Sequence, residues 1–314
     1  MKYLTPDIFE GKDRRLFLAG GTNEVLRCFS RSAEDMKPGL SSWAQQLRLR
    51  KHRAEELGAR YRHVIIPDKL NTYREEADCN HLSLRFPSQE LEDHSKEYGL
   101  IDILIPLTDY FRRQKHTYQM FWLTDTHFTI AGCYSAYQMI CAYLQISPKV
   151  ELITRHCSKI DRSLDLGGKL NPPRTEVLSV GRYGVGASRI FANELVTIRE
   201  HKIVPNSVGL HNGSMVRYEN SSPSAIDINL LVFGDSFFEY RTHLLTGMFA
   251  ETVRYFTFVW SANIDWGLVS EYKPDVVLTE CAERFIISVP DDSIDIAAHV
   301  NKKLAVLNLD KQVC

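Results

Sequence analysis

The mostly apolar run over residues 228–233 breaks abruptly into Gly234-Asp235-Ser236, and this junction constrains the fold more than any other stretch. A strand buried on both faces of a parallel sheet reads as continuous apolar residues, whereas a half-exposed strand alternates. Open α/β sheets gather their ligands at the carboxyl ends of such strands. Gly234 permits a tight turn, and helical character through Leu244, Leu245 and Phe249 places Ser236 near a helix start. Backbone N–H groups at a helix start can stabilise a developing oxyanion. The same tripeptide also fits a plain cap, in which Asp235 or Ser236 accepts a backbone N–H of the following helix.

A second stretch, Trp122-Leu123-Thr124-Asp125-Thr126-His127-Phe128, bears on that choice. A serine hydroxyl is a weak nucleophile until a base takes its proton, and a carboxylate fixes the tautomer of that base. Asp125 and His127 supply both groups from one short loop. A serine triad of Ser236, His127 and Asp125 therefore accounts for the two stretches together.

Residues 61–66, 100–105, 255–260 and 274–280 also read as buried strands, and 119–123 as a short one. Helical patterns fall between them, over 40–60, 107–113, 129–144 and 264–272, and another closes the chain at 294–304. That alternation predicts an α/β fold with a mostly parallel sheet. The basic run Arg48-Leu49-Arg50-Lys51-His52-Arg53 reads as a solvated helix face, with contact to an anionic cofactor as the alternative. Gly20-Gly21 follows Leu16-Phe17-Leu18 and reads as a turn, because the Lys-Ser/Thr of a phosphate-binding loop is absent. Between 147 and 220 the texture changes, with Pro148, Gly167-Gly168 and Pro172-Pro173 punctuating short β-like pieces at 176–180 and 203–210. Such a stretch is too long for a structureless loop, and Asn212-Gly213 is a hairpin-turn signal. Arg284 follows the 274–280 strand beside Glu280 and Glu283, either as an ion-pair partner of a glutamate or as a substrate contact.

A formal charge of −1 gives no reason to expect nucleic acid or an anionic membrane as partner. No stretch approaches the ~18 consecutive apolar residues of a membrane span, and no apolar signal core follows Met1, so a cytoplasmic protein is expected. Seven cysteines form an odd set without a Cys-x-x-Cys pair, which argues against a disulfide scaffold or a zinc site. Cys133 and Cys141 lie in an apolar helical run and read as buried thiols.

Taken in order, Pro67-Asp68-Lys69 with Tyr73, Asp125-Thr126-His127, Tyr218-Glu219-Asn220, Phe233-Gly234-Asp235-Ser236-Phe237 and Lys273-Pro274-Asp275-Val276-Val277 with Glu283-Arg284-Phe285 form a set. This set resembles the SGNH-hydrolase-like alginate O-acetyltransferase family, the AlgX and AlgJ group, over roughly residues 12 to 290. In that family Asp-x-His precedes the serine, whereas ordinary SGNH esterases carry it near the C-terminus. The resemblance implies an SGNH, flavodoxin-like three-layer α/β/α fold with a mostly parallel central sheet. It implies one catalytic domain over residues 1–314, with the β-rich excursion at 147–220 helping to form the cleft. It also implies Ser236 as nucleophile, His127 as general base and Asp125 as its orienting carboxylate, with an acetyl-serine intermediate and transfer to a polysaccharide hydroxyl.

Two departures accompany the likeness. The Gly-x-Asn-Asp block of ordinary SGNH enzymes is replaced here by Thr279-Glu280-Cys281-Ala282-Glu283-Arg284. Oxyanion or substrate contacts are then expected from the backbone around Gly234 and Asp235 and from Arg284. Exported members of the family receive acetyl groups from a membrane partner, whereas a chain without an export signal is expected to use acetyl-CoA, with no metal and no tightly bound cofactor. The expected activity is O-acetyl transfer to a sugar or polysaccharide, with a carbohydrate or small-ester esterase and a non-catalytic glycan-binding module as the alternatives.

Overall fold

The computed structural model describes residues 1–21, 24–79, 81–155, 157–181, 183–184, 186–203, 209–239 and 245–313. Strands β1 (Lys2–Thr5), β2 (Ile8–Glu10) and β3 (Leu16–Leu18) form a small antiparallel sheet. Strands β4 (Arg60–Ile66) and β5 (Leu104–Ile105) pair in parallel, and β6 (Ser158–Ser163) and β7 (Thr175–Val180) form a separate antiparallel ribbon. The remaining strands are β8 (Ser188–Ala192), β9 (Met215–Glu219), β10 (Ile226–Gly234), β11 (Val253–Trp260) and β12 (Val276–Ala282). A seven-stranded sheet runs in the order β5-β4-β12-β10-β11-β9-β8. Strand β10 is parallel to both β11 and β12, while β9 runs antiparallel to β11 and β8.

The sequence explains this order. Leu230, Leu231, Val232 and Phe233 are wholly buried, and successive side chains of a strand point to opposite faces, so the sheet is covered on both faces there. Strand β8, at the edge, is largely exposed and carries Arg189, which forms a two-point ion pair with Glu200. A charged edge discourages pairing with another chain.

By its internal contacts the chain divides into two compact units. One comprises Met1–Leu49, His63–Arg182 and Cys281–Val289; the other comprises Arg50–Arg62, Tyr183–Glu280 and Pro290–Cys314. The first holds Asp125, His127 and Arg284, and the second holds Gly234, Asp235 and Ser236. Of the stretch 147–220, the β6–β7 ribbon belongs to the first unit, whereas β8 and β9 belong to the second as strands of the large sheet.

Several local expectations change. The helix expected over 40–60 runs instead over Ala33–Glu56, and Arg60 already belongs to β4. Trp43, Ala44, Leu47 and Ala54 are buried along its inner face at helical spacing. The basic run is not wholly a solvated face. Arg50 is 1% exposed and grips Asp292 through Nε and Nη2, at 2.8 and 2.6 Å, because a buried guanidinium needs a carboxylate partner. Residues 100–103 form a turn and not the start of a strand. Ile103 and Leu104 both donate to the Leu100 carbonyl, which leaves Ile101 exposed.

Residues 119–123 contribute a single bridge, Phe121 to Phe128, in place of a strand. Part of the expected piece at 203–210 lies outside the described residues. Gly213 adopts φ +91° in the turn before β9, and the connection from its antiparallel neighbour β8 also contains the Glu194–Glu200 helix, so the two strands are not joined by a tight hairpin. Among the described residues no helix is long and apolar enough to cross a membrane. Cys133 and Cys141 are buried, as their apolar helix requires, and the six described cysteines carry no disulfide.

Candidate active site

The Asp125–His127 segment is the tip of a short loop whose base is locked twice. Phe121 bridges to Phe128, Trp122 donates to the His127 carbonyl at 3.2 Å, and Thr129 donates to Met120 at 3.0 Å. Phe111, Phe121 and Phe128 pack beneath it as a buried aromatic cluster. Thr129 then caps the Ile130–Leu144 helix, its hydroxyl accepting the Gly132 N–H at 3.1 Å. A Cβ at Gly132 would lie 2.0 Å from the Met120 carbonyl oxygen, so only glycine lets this helix approach the loop so closely.

Three neighbouring segments hold the tip. Lys69, 2% exposed, donates to the carbonyls of Trp122, Leu123 and Asp125 at 2.6, 2.9 and 2.9 Å. The Glu176 carboxylate accepts the N–H groups of Leu123 and Thr124, both at 2.9 Å, and the Thr124 hydroxyl at 3.0 Å. Leu166 and Gly167 both donate to the Thr124 carbonyl. Burial, reinforced by the charge of Arg15, draws the Lys69 ammonium down to about 7. The carboxylates of Asp125, Asp165 and Glu176 pull the other way.

Asp125 Oδ1 lies 2.7 Å from His127 Nδ1 and also accepts the His127 backbone N–H at 3.0 Å. An ionised carboxylate only accepts, so in the neutral imidazole the ring proton resides on Nδ1 and Nε2 is the basic nitrogen. Burial disfavours the imidazolium, but the hydrogen bond and charge of Asp125, with the charge of Asp165, outweigh it and raise His127 above 6.5. Burial likewise opposes the Asp125 anion, and the His127 bond more than offsets this, holding Asp125 well below the usual carboxylate range. Asp165 is raised, first by burial and then by the Asp125 charge.

The polar atoms of Asp125, His127 and Asp165 lie within 4.8 Å of one another, a grouping that could in principle hold a metal ion. Asp125 bonds to His127, Asp165 bonds to Thr126, and the two carboxyl groups also bond to each other. The imidazole of His127 is thus oriented by the Asp125 carboxylate.

Of the two readings left open for Arg284, the ion-pair one finds Asp68 and not Glu283 as the partner. Arg284 Nη1 lies 3.4 Å from Asp68 Oδ2, and its positive charge opposes the imidazolium of His127. Glu283 is occupied by the Asp68 N–H, the Asn71 amide and both donors of Ser88.

In the second unit, β10 ends at Gly234 and the chain turns over Ser236–Phe238. Asp235 Oδ1 accepts the Phe237 N–H at 3.1 Å and its carbonyl accepts the Phe238 N–H at 3.2 Å, which closes the turn and buries both phenylalanines. The next described helix is Leu245–Thr252, beyond this turn. Gly234 keeps strand geometry. Its missing side chain makes room for Glu280, whose Oε2 would lie 2.6 Å from a Cβ there and accepts the Asp235 N–H at 2.9 Å. Ser236 itself is half-buried.

Asp165 and Glu176 were not legible as site residues, since both lie in the irregular stretch 147–220. Lys69 stood inside the Pro67-Asp68-Lys69 motif, but nothing in the sequence showed that it points at the loop.

Fold and side chains together define a class: an α/β protein carrying a carboxylate-oriented histidine in one unit and a strand-end Gly-Asp-Ser in the other. No family model and no curated protein matches the chain at the sequence level. Among solved structures, Bacillus cereus PatB1 bearing a sulfonyl adduct superposes with a TM-score of 0.61 at 12% identity, over 94% of this chain and 98% of that one. The O-acetyltransferase domain of Pseudomonas putida AlgJ gives 0.55 at 15% identity, covering 95% and 100% of the two chains. Pseudomonas aeruginosa AlgX gives 0.52 at 12% identity, covering 88% of this chain and 61% of AlgX. The chain thus shares the fold of the AlgX and AlgJ group.

Proposed function

We propose that this protein is a serine-dependent O-acyltransferase that moves an acetyl group onto a hydroxyl of a sugar or polysaccharide. Ser236 is the nucleophile, His127 the general base and Asp125 the carboxylate that orients it. The observation that supports this reading most is the 2.7 Å contact between Asp125 Oδ1 and His127 Nδ1, which leaves Nε2 basic. The shared fold with an O-acetyltransferase domain supports the reaction class. A sulfonyl adduct, as carried by PatB1, is what a nucleophilic side chain forms, and this supports a covalent route.

In the first step Nε2 takes the Ser236 Oγ proton as Oγ attacks the acyl carbonyl. The bond to the donor breaks, and the imidazolium returns the proton to the departing group. In the second step Nε2 takes a proton from the acceptor hydroxyl, whose oxygen attacks the acyl-serine, and Oγ leaves with the proton. Proton transfers of this kind contribute about 10²–10⁴ in rate each. Arg284 is proposed to favour the developing oxyanion, and acetyl-CoA is the proposed donor. Water as acceptor would make the same acyl-enzyme an esterase.

Intact mass after incubation with acetyl-CoA or an activated acetyl ester tests the reading. A species one acetyl group heavier is expected, absent from Ser236→Ala, and discharged faster by a glycan acceptor than by water. A Ser236→Ala protein with undiminished turnover defeats the mechanism.

A further inference from the structure

We propose that Asp165 is a positioning residue for His127, so that the imidazole is oriented by two carboxyl groups and not by Asp125 alone. The proposal rests on the reading of His127 as general base.

Asp165 grips the residue that lies between Asp125 and His127 in the chain. Its Oδ1 accepts the Thr126 N–H at 3.0 Å, and its Oδ2 accepts the Thr126 hydroxyl at 2.6 Å. The Thr126 hydroxyl also lies 3.5 Å from His127 Nδ1. Holding Thr126 at two points fixes the peptide planes on either side of it, and therefore the directions in which Asp125 and His127 project. The residues after Asp165 return the grip: Leu166 and Gly167 both donate to the Thr124 carbonyl, at 3.1 and 2.9 Å. Asp165 is thus anchored to the same tip that it anchors.

The second effect is electrostatic. The polar atoms of Asp165, Asp125 and His127 lie within 4.8 Å of one another in a partly buried setting, where charge is screened less than at the surface. Both proposed proton transfers pass through an imidazolium, and two carboxylates stabilise it more than one. The neighbouring charges are the Lys69 ammonium, which faces both carboxylates, and Arg284, which opposes the imidazolium. Arg15 and Glu176 also act on Lys69 through their charges.

A residue that only shaped the loop would be replaced by its amide without altering how His127 titrates. Asp165→Asn keeps size and one acceptor oxygen but drops the charge. The test follows the ring resonances of His127 against pH by NMR in wild type, Asp165→Asn and Thr126→Val, with steady-state rates beside them. Asp165→Asn is expected to move the His127 midpoint to lower pH, because a negative charge favouring the imidazolium is gone. Its kcat is expected to fall about tenfold with KM unchanged, through a weaker and less well aligned base. Thr126→Val should shift the midpoint in the same direction by less.

A His127 midpoint equal to wild type in Asp165→Asn overturns the proposal. Should that variant fail to fold, an unmoved midpoint in Thr126→Val overturns it equally. Because the titration is read without substrate, full turnover by Ser236→Ala counts against the triad while leaving the Asp165 result standing.

Discussion

Replacing Gly132 by alanine sets two effects of opposite sign against each other. Alanine in place of glycine inside a helix is worth about 1 kcal/mol through lower chain entropy and better propensity. At Gly132 the new methyl would stand 2.0 Å from the Met120 carbonyl oxygen and 2.9 Å from its carbon, both backbone atoms that no rotamer change can remove. Relief requires the helix and the loop base to separate by about 1 Å, and overpacking of this kind costs up to about 3 kcal/mol. The net is a loss of about 2 kcal/mol. At about 2 °C per kcal/mol, the low end for chains somewhat shorter than this one, melting falls by about 4 °C.

The displaced carbonyl also accepts the Thr129 N–H at the base of the Asp125–His127 loop, so turnover should drop as well. Gly39 supplies the internal control. It lies in the Ala33–Glu56 helix with nothing within 4 Å of its would-be Cβ, so Gly39→Ala gains the helix term alone and should raise melting slightly. The assay is thermal unfolding followed by circular dichroism on both variants. If Gly132→Ala stabilises as much as Gly39→Ala, the argument from close approach is wrong.

Two further expectations concern charge. Removing the Arg50 side chain leaves the Asp292 carboxylate buried without its cation, and Arg50→Met should cost about 3–5 kcal/mol in urea unfolding. Lys51→Ala, one residue along on the exposed side, should change stability by less than about 0.5 kcal/mol; equal effects would refute the distinction. His127 is raised, so the stability it lends is complete below 6.5 and fades as pH climbs through its higher folded value. Asp125 is depressed, so its share is present above 3.8 and is lost as pH falls through its lower folded value. Asp125→Asn should therefore flatten the fall in urea midpoint as pH rises from 6.5 through the folded value of His127, and an unchanged slope would show that the pair does not couple to folding.

What could be read from the chain tracks the range of the interactions involved. The strand at Leu230–Phe233 was legible because burial on two faces forces an unbroken apolar run, and the Asp125–His127 pair because two residues in one loop must be near each other. Arg50 looked solvated because its neighbours in sequence are basic, while its partner Asp292 lies 242 residues away. How the turn at Ser236 closes was hidden for a related reason. Asp235 and two buried phenylalanines close it locally, which helical periodicity downstream could not reveal. Asp165 and Glu176 sit in a stretch whose glycines and prolines hide any period, so their approach to the loop is visible only in three dimensions.

The loop carrying Asp125 and His127 has almost no conformational slack. Lys69 occupies the carbonyls of residues 122, 123 and 125, Glu176 the amides of 123 and 124, and Asp165 the amide of 126. Bending it means breaking several of these bonds at once, so the tip tolerates a change of charge more readily than a change of backbone path. Divergence toward a new acceptor, in nature or by design, has to be sought in other segments, with this one inherited as a fixed part.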